Sequence, residues 1–258
     1  AYFITQMEGT WQVKLAVMYI PLAIYGFLFY GQTFPKTANE MDKASTSSNV
    51  KAIFSSPLYW FMLLCMILTA TTELGTQSWV ERILGNTGAQ PLLILFLVTG
   101  LMAVGRYFAG PIIHKLNIPG VLWISSIISL IAIYMLSTAT GGMVYVAAVM
   151  FAIGVCYFWP NMISFVAVYL PKTGALGMSL IGGVGMVGLS ICQPIIGKWM
   201  DSERANAIAT GLQGDAAELA AGQATLDNIA WFPAILVIAF GILYFTRKKY
   251  TPANAPGH

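Results

Sequence analysis

A single carboxylate, Glu73, interrupts an otherwise apolar run of the sequence, in the stretch "LTATTELGTQSW". Helical spacing places Thr69, Thr76 and Gln77 on the same face as this acid. A charged side chain at the centre of a membrane helix costs about 2.5–3.5 kcal/mol, so such residues are usually functional. At the wall of a water-filled cavity, Glu73 could exchange a proton or accept a hydrogen bond from a hydroxyl-rich solute. The alternative is an acid near the outer membrane interface, because Glu73 lies in the outer third of its run.

A second set of polar and aromatic residues occupies the stretch "GVCYFWPNMISF". Tyr157 and Asn161 share a helix face, and Trp159 offers an aromatic ring of the kind that stacks on sugars. Pro160 frees a main-chain carbonyl in the middle of the apolar run, where a helix bends. The pattern predicts a solute-binding face. A packing stripe that contains one hydrogen-bonded asparagine is an equally open interpretation.

The stretch "GRYFAGPIIHKL" places an arginine and a lysine among glycines near the end of a third apolar run. Gly105 and Gly110 predict a close approach of two helix ends. Arg106 can extend to the membrane interface and donate to helix C-terminal carbonyls or to an acid on a neighbouring helix. Together with Lys115, these residues are predicted to form a cytoplasmic latch that stabilises one conformation. The alternative is a topological anchor of positive residues.

A glycine-rich run, "GMSLIGGVGMVGLSICQP", predicts close helix packing. Ser179 with Gly183, and Gly188 with Cys192, have the small-x-x-x-small spacing of tightly packed membrane helices. A surface on which helices slide and a static contact remain alternatives.

The composition indicates which elements position these residues. The chain is 57% hydrophobic and 9% charged, whereas a soluble protein carries about 25% charged residues. Apolar runs of about 20 residues, the length that crosses a bilayer, alternate with short polar breaks. Only helices satisfy their backbone in lipid without closing a barrel. The sequence therefore predicts an all-α integral membrane protein with seven transmembrane helices, at roughly 12–31, 56–79, 91–113, 119–138, 143–169, 175–198 and 228–246.

Basic residues orient these spans. The connections on one side hold nine of the 13 lysines and arginines, including Lys172 and the C-terminal Arg247–Lys249 group. The positive-inside rule places that side, and the C-terminus, in the cytoplasm. The polar segment 32–54 is then a cytoplasmic linker, and the acidic connection 199–227 lies outside with a surface helix.

A short signature occurs twice. Pro111-Ile112-Ile113 and Pro194-Ile195-Ile196 are each followed two residues later by lysine, and they end the third and sixth predicted spans. These spans are the second members of two triplets, 56–138 and 143–246. The alternation of the spans places the two signatures on opposite membrane faces. This arrangement is typical of the inverted repeats of secondary transporters.

The stretch "GRYFAGPIIHK" resembles the motif between helices eight and nine of the major facilitator superfamily, roughly G-x-x-x-D/G-R-x-x-G-x-x-x-D-R/K. Gly105, Arg106, Gly110 and Lys115 match, whereas the usual acid is absent and His114 precedes the lysine. The stretches "YGQTFPKT" and "TATTELGTQSWV" are similar to those of bacterial sugar-type members.

The resemblance implies that the spans are helices six to twelve, that six of them form one half of the fold as two inverted three-helix repeats, and that the first five helices are missing. The implied domains are the truncated last helix of the N-terminal half at 1–31, the cytoplasmic linker at 32–54, the C-terminal six-helix bundle at 55–250 and a cytoplasmic tail at 251–258.

The predicted function is secondary active transport of a small polar, sugar-like solute by alternating access, with a proton as coupling ion. No phosphate-binding loop occurs in the sequence, so we expect no nucleotide or other cofactor. His114 and His258 form no metal-binding pattern, and the net charge of +3 follows from membrane topology, which predicts no nucleic-acid partner.

The predicted partners are the solute, the proton, the lipid bilayer and the missing N-terminal half of the same chain, in a bacterial inner membrane. The alternatives are a polytopic membrane enzyme, although no catalytic cluster is evident and we expect no catalytic residues, and a membrane scaffold without transport.

Overall fold

The computed structural model describes residues 11–33, 45–79 and 90–250. Helix accounts for 89% of the structure and the described residues contain no strand, which confirms the all-α prediction. The chain forms two compact units, Ala1–Ala44 and Ser45–His258. The helices are α1 (Trp11–Ala16), α2 (Tyr19–Phe29), α3 (Thr46–Ser55), α4 (Pro57–Ala70), α5 (Pro91–Tyr107), α6 (Ala109–Thr138), α7 (Met143–Val155), α8 (Phe158–Tyr169), α9 (Gly174–Ala209), α10 (Asp215–Ile229) and α11 (Trp231–Thr246).

The described part of the first unit consists of α1 and α2, which a turn at residues 17–18 separates. The sequence predicted one continuous span at 12–31. The 11 residues of α2 rise only about 16 Å, which is less than the roughly 30 Å of a hydrocarbon core. None of the residues of α2 is buried within the structure.

Five helical segments of the second unit are long and apolar enough to cross a membrane, which indicates an integral membrane protein. Two of the seven predicted spans correspond to shorter apolar helices, Tyr19–Phe29 and Leu92–Tyr107. The five long segments are Pro57–Trp79, Ala109–Thr138, Met143–Tyr169, Pro171–Ala209 and Asp215–Lys249.

Local sequence signals explain where the first of these segments begins. The side chain of Ser56 accepts a hydrogen bond from the backbone of Tyr59 at 3.2 Å, and Pro57 occupies the first helical turn. This combination of an N-cap and a proline is typical of a helix start. The cytoplasmic linker predicted at 32–54 contains α3 in its described part, with Ser45 as its N-cap.

The third and fourth predicted spans meet at a different place from the one expected. α5 ends at Tyr107 instead of residue 113. The next stretch of helix, from Ala109, is interrupted at Asn117, whose φ of 54° lies in the left-handed region. The side chain of Asn117 accepts from the backbone N–H of Gly120 at 3.0 Å, so it caps the helix that continues to Thr138.

The two Pro-Ile-Ile signatures therefore have different surroundings. The first lies in the helical stretch between Ala109 and the break at Asn117. The second lies inside α9, which continues past Lys198 to Ala209. The prediction that both signatures end a helix is wrong, because no break follows the second one.

The connection predicted at 199–227 is an antiparallel helical hairpin formed by the end of α9 and by α10, which pack against each other. Arg204 Nε lies 2.6 Å from Glu218 Oε1 across the hairpin. Gln223 donates to the carbonyl of Ala139, just beyond α6, at 3.3 Å. Within the bundle, α6 packs against α7, α8, α10 and α11, and α4 packs against α8, α9 and α11.

Candidate functional site: a buried ion pair

Glu73 lies on an irregular turn within a helical segment that is long and apolar enough to span a membrane. Residues Thr71–Gly75 form a π-helical turn between the α-helical parts of Pro57–Trp79. The hydroxyls of Thr71 and Thr72 donate to main-chain carbonyls one turn earlier, at 2.8 and 2.7 Å. The Glu73 residue is only 4% exposed. Single π-turns within α-helices are found frequently at functional sites.

The Glu73 carboxylate forms an ion pair with the arginine of the neighbouring α5. Arg106 Nη2 donates to Glu73 Oε1 at 3.0 Å. The side chain of Glu73 is 5% exposed, whereas that of Arg106 is 40% exposed. Oε2 of Glu73 has no hydrogen-bond partner among the described residues. The pair therefore has a buried acidic partner and an accessible basic one.

The second acceptor for Arg106 is a main-chain carbonyl that Pro160 leaves without its helical partner. A proline has no backbone N–H, so Pro160 cannot bond to the carbonyl four residues earlier, which is that of Cys156. Arg106 Nε donates to this freed carbonyl at 2.9 Å. The sequence predicted that Pro160 frees a main-chain carbonyl in the membrane, and the structure places the Arg106 guanidinium on it.

Arg106 contacts the backbone midway along one of the long helical segments. Thirteen residues separate Cys156 from each end of the Met143–Tyr169 segment, which is a rise of about 20 Å in either direction. The sequence placed Arg106 at the cytoplasmic interface and Glu73 in the outer third of its helix. A 3.0 Å contact requires one common depth for the two charges, so these two placements cannot both hold.

One of the two glycines of the predicted latch makes a close helix contact. A methyl group on Gly105 would lie 2.8 Å from Cys156 Sγ, and Tyr157 Oη donates to the carbonyl of Gly105 at 2.8 Å. At Gly110 a methyl group would meet nothing within 4 Å, so the predicted close approach is wrong there. Lys115 is exposed in the stretch that follows and has no ion pair with a described residue.

The polar residues predicted beside Glu73 form no hydrogen bond with it among the described residues. Thr69 Oγ1 donates to the carbonyl of Met66 at 3.0 Å. Gln77 Nε2 lies 3.4 Å from Met102 Sδ, which links the end of the Pro57–Trp79 segment to α5. The Thr76 hydroxyl is buried and has no hydrogen-bond partner among the described residues.

The two side chains predicted to form the solute platform have unlike surroundings. Trp159 is half-buried, and its ring lies over Gly185 of α9, where a methyl group would come within 3.3 Å of Cη2. One part of the ring is therefore covered by protein. Asn161 is 1% exposed, and its Nδ2 has no hydrogen-bond partner among the described residues.

Sequence reasoning missed the pairing of Glu73 with Arg106. One signal was available: Arg106 is followed by "YFAGPII", a run that is almost entirely apolar. An arginine with apolar residues on both sides is more deeply placed than one that ends a span. It then requires a counter-charge, and Glu73 is the acid in the adjacent apolar run.

No protein-family model, curated protein or solved structure matches the chain. The function is therefore inferred from the chemistry of this site.

Proposed function

We propose that the protein is a secondary active transporter that moves a small polar solute together with a proton by alternating access. The ion pair between Glu73 and Arg106 at mid-depth is the observation that carries this proposal. In this proposal the chain has the arrangement of a major facilitator half, as the motif around Arg106 suggests. The C-terminus lies in the cytoplasm of a bacterial cell.

The energetics of the pair favour a function over a structural role. Each charge at the centre of a membrane helix costs about 2.5–3.5 kcal/mol on insertion scales. Buried ion pairs add little to stability compared with apolar residues of the same volume. Ionisable residues at this depth instead line substrate pathways and proton relays.

Glu73 is suited to carry the proton. Its Oε1 accepts from Arg106, while Oε2 has no partner among the described residues. Oε2 is therefore the oxygen that offers a position for the proton. Protonation removes the negative charge that holds Arg106, so proton binding changes the contact between the π-turn and α5.

Close contacts between α4 and α9 provide a surface on which conformations could change. A methyl group on Gly185 would lie 2.9 Å from Met66, and one on Gly188 would lie 2.6 Å from Ile67. Small residues at such contacts let membrane helices approach closely and without interlocking side chains. We propose that α9 shifts along α4 when the ion pair opens.

Proton movement in liposomes tests this proposal. The purified protein is reconstituted with a pH-sensitive dye inside, and neutral polyols, sugars and organic acids are added outside in turn. A transported solute should acidify the lumen, and Glu73→Gln should abolish this acidification. Glu218→Gln, which changes an acid of the α9–α10 hairpin, serves as the matched control.

Acidification that persists in Glu73→Gln would contradict the proposal. A membrane enzyme would convert one of the added compounds without proton movement, and a scaffold would neither convert nor move any of them.

A further inference from the structure

We infer that the transported solute carries a carboxylate, which binds to Arg106 in place of Glu73 when Glu73 takes up the proton. This inference rests on the proposed transport function and names the chemical class of its substrate.

Arg106 has unused binding capacity. Nε is held by the Cys156 carbonyl and Nη2 by Glu73, and no described residue accepts from Nη1. Glu73 therefore contacts the guanidinium through one oxygen and one nitrogen. A planar guanidinium binds a carboxylate most favourably through two parallel hydrogen bonds. A carboxylate that approaches the Nη1–Nη2 edge could form both.

The Arg106 side chain is accessible. It is 40% exposed, although it contacts the middle of the Met143–Tyr169 segment. Charged groups at this depth face the interior of a bundle or a water-filled cavity and avoid lipid. The exposed part of Arg106 is therefore on the side from which a dissolved solute would arrive, while Glu73 lies behind it.

Charge balance then links the anion to the proton. In the empty site, Glu73 and Arg106 sum to zero. Protonation of Glu73 alone leaves one positive charge, and binding of an anion alone leaves one negative charge. When a proton and a carboxylate anion are both bound, the sum is zero again. Because an unbalanced charge at this depth is costly, the empty and the doubly loaded states are the ones able to change conformation.

Among the described residues around the pair, no other charge could restore the balance. Besides Arg106, the titratable groups that face Glu73 are the Cys156 thiol and, beyond it, the Tyr157 hydroxyl. From α9, Leu189 and Ile196 meet the π-turn at Gly75, and both are apolar. In α8 and α11, which pack against α4, tyrosines are the titratable residues, at the helix ends.

A neutral sugar fits these observations less well. It would leave the positive charge of Arg106 unbalanced after Glu73 is protonated. It would also depend on stacking with Trp159, whose ring is partly covered by Gly185.

Calorimetric titration of the protein in detergent tests the inference with a matched pair of probes, glucuronate and glucose, which differ mainly in one carboxylate. Acetate and lactate are added as smaller carboxylates. Repeating each titration in buffers with different ionisation enthalpies counts the protons that bind with the ligand. We expect at least one carboxylate to bind with uptake of about one proton, so that its affinity rises up to about tenfold for each unit of lower pH.

Two variants identify the groups involved. Glu73→Gln should bind the same carboxylate without proton uptake and with an affinity independent of pH. Arg106→Gln should weaken binding at least tenfold. Arg106→Lys keeps the positive charge and removes the planar guanidinium. It serves as the second variant if Arg106→Gln does not fold, and it should bind the carboxylate more weakly than the original protein.

Binding of glucose but of no carboxylate would overturn the inference, as would carboxylate binding without proton uptake, an unchanged affinity in both Arg106 variants, or no binding of any carboxylate. Proton-coupled movement of glucose that is lost in Glu73→Gln would refute the inference and leave the proposed transport intact. Proton-linked carboxylate binding in a protein that moves no protons into liposomes would support the anion site and refute transport.

Discussion

Loss of Glu73 and loss of Arg106 should destabilise the protein by different amounts, because the two side chains are unequally buried. Arg106→Gln leaves the Glu73 carboxyl group 5% exposed and without its charged partner. Glu73→Gln leaves a guanidinium that is 40% exposed and still bonded to the carbonyl of Cys156. The loss of stability should therefore be larger for Arg106→Gln.

The size of the difference can be worked out. A buried carboxylate without a partner escapes the cost of its charge by binding a proton. From the ordinary glutamate pKa of about 4.3, this costs about 3.7 kcal/mol at pH 7, at 1.36 kcal/mol per unit. This value is the upper limit for Arg106→Gln. Partly exposed ion pairs contribute about 1 kcal/mol or less, which is the expected loss for Glu73→Gln.

The cysteines of the chain supply the assay. Cys65 and Cys156 are buried, whereas Cys192 is half-buried, so in a Cys192→Ser background a thiol-reactive dye reports the temperature at which the bundle opens in detergent. At about 2–4 °C per kcal/mol for a protein of this size, Arg106→Gln should lower Tm by up to about 7–15 °C. Glu73→Gln should lower it by about 4 °C or less.

The double variant, Glu73→Gln with Arg106→Gln, provides the control. It has no buried charge, so it should recover most of the stability that Arg106→Gln loses. Equal losses in the two single variants, or a larger loss in Glu73→Gln, would refute the reasoning that burial of the acid determines the cost.

Three further predictions concern the packing and orientation of the helices. Gly105→Ala should lower Tm by several degrees and reduce proton movement, because its methyl group would lie 2.8 Å from the Cys156 sulfur, whereas Gly110→Ala, in open space, should change neither. Gly188→Ala should slow transport more than it lowers Tm if α9 moves along α4, since the added methyl group would lie 2.6 Å from a side chain there; an unchanged rate would indicate a static contact. Cysteines at the exposed residues Ser47 and Gln213 should be labelled by an impermeant reagent from opposite sides of the membrane, and labelling from one side would contradict the predicted topology.

Apolar runs predicted the helical content well, because their lengths and the exclusion of unpaired backbone from lipid leave few alternatives. The boundaries were less predictable. Asn117 interrupts a helix and caps the next one by accepting a hydrogen bond from the backbone of Gly120. Hydropathy does not predict a local interaction of this kind. α9 continues past Lys198 because its C-terminal part packs against α10. This contact is between residues that are distant in sequence, so the periodicity of either run alone does not predict it.

The residues of the site could be predicted from the sequence, but their contacts with one another could not. Glu73 stood out because an acid in an apolar run is costly, and Pro160 stood out because it must free a carbonyl. Neither signal names its partner. Arg106 meets both groups through tertiary packing of α5 against α7, and a single sequence does not show which helices are neighbours.

The backbone provides an argument for a solute pathway that is independent of the charges. Three helix irregularities meet at the depth of the ion pair: the π-turn at Thr71–Gly75, the end of α5 at Tyr107, and the interruption between α7 and α8 at Cys156 and Tyr157. Irregular backbone at membrane depth is tolerated only where protein covers it or where it lines a water-filled cavity. The Cys156 carbonyl and the Gly105 carbonyl are both satisfied by side chains of neighbouring helices. In the proposed transport function, the partly exposed guanidinium between them is the point at which this interior would open to solute, and the discontinuous helices around it would correspond to the midplane binding sites of transporters.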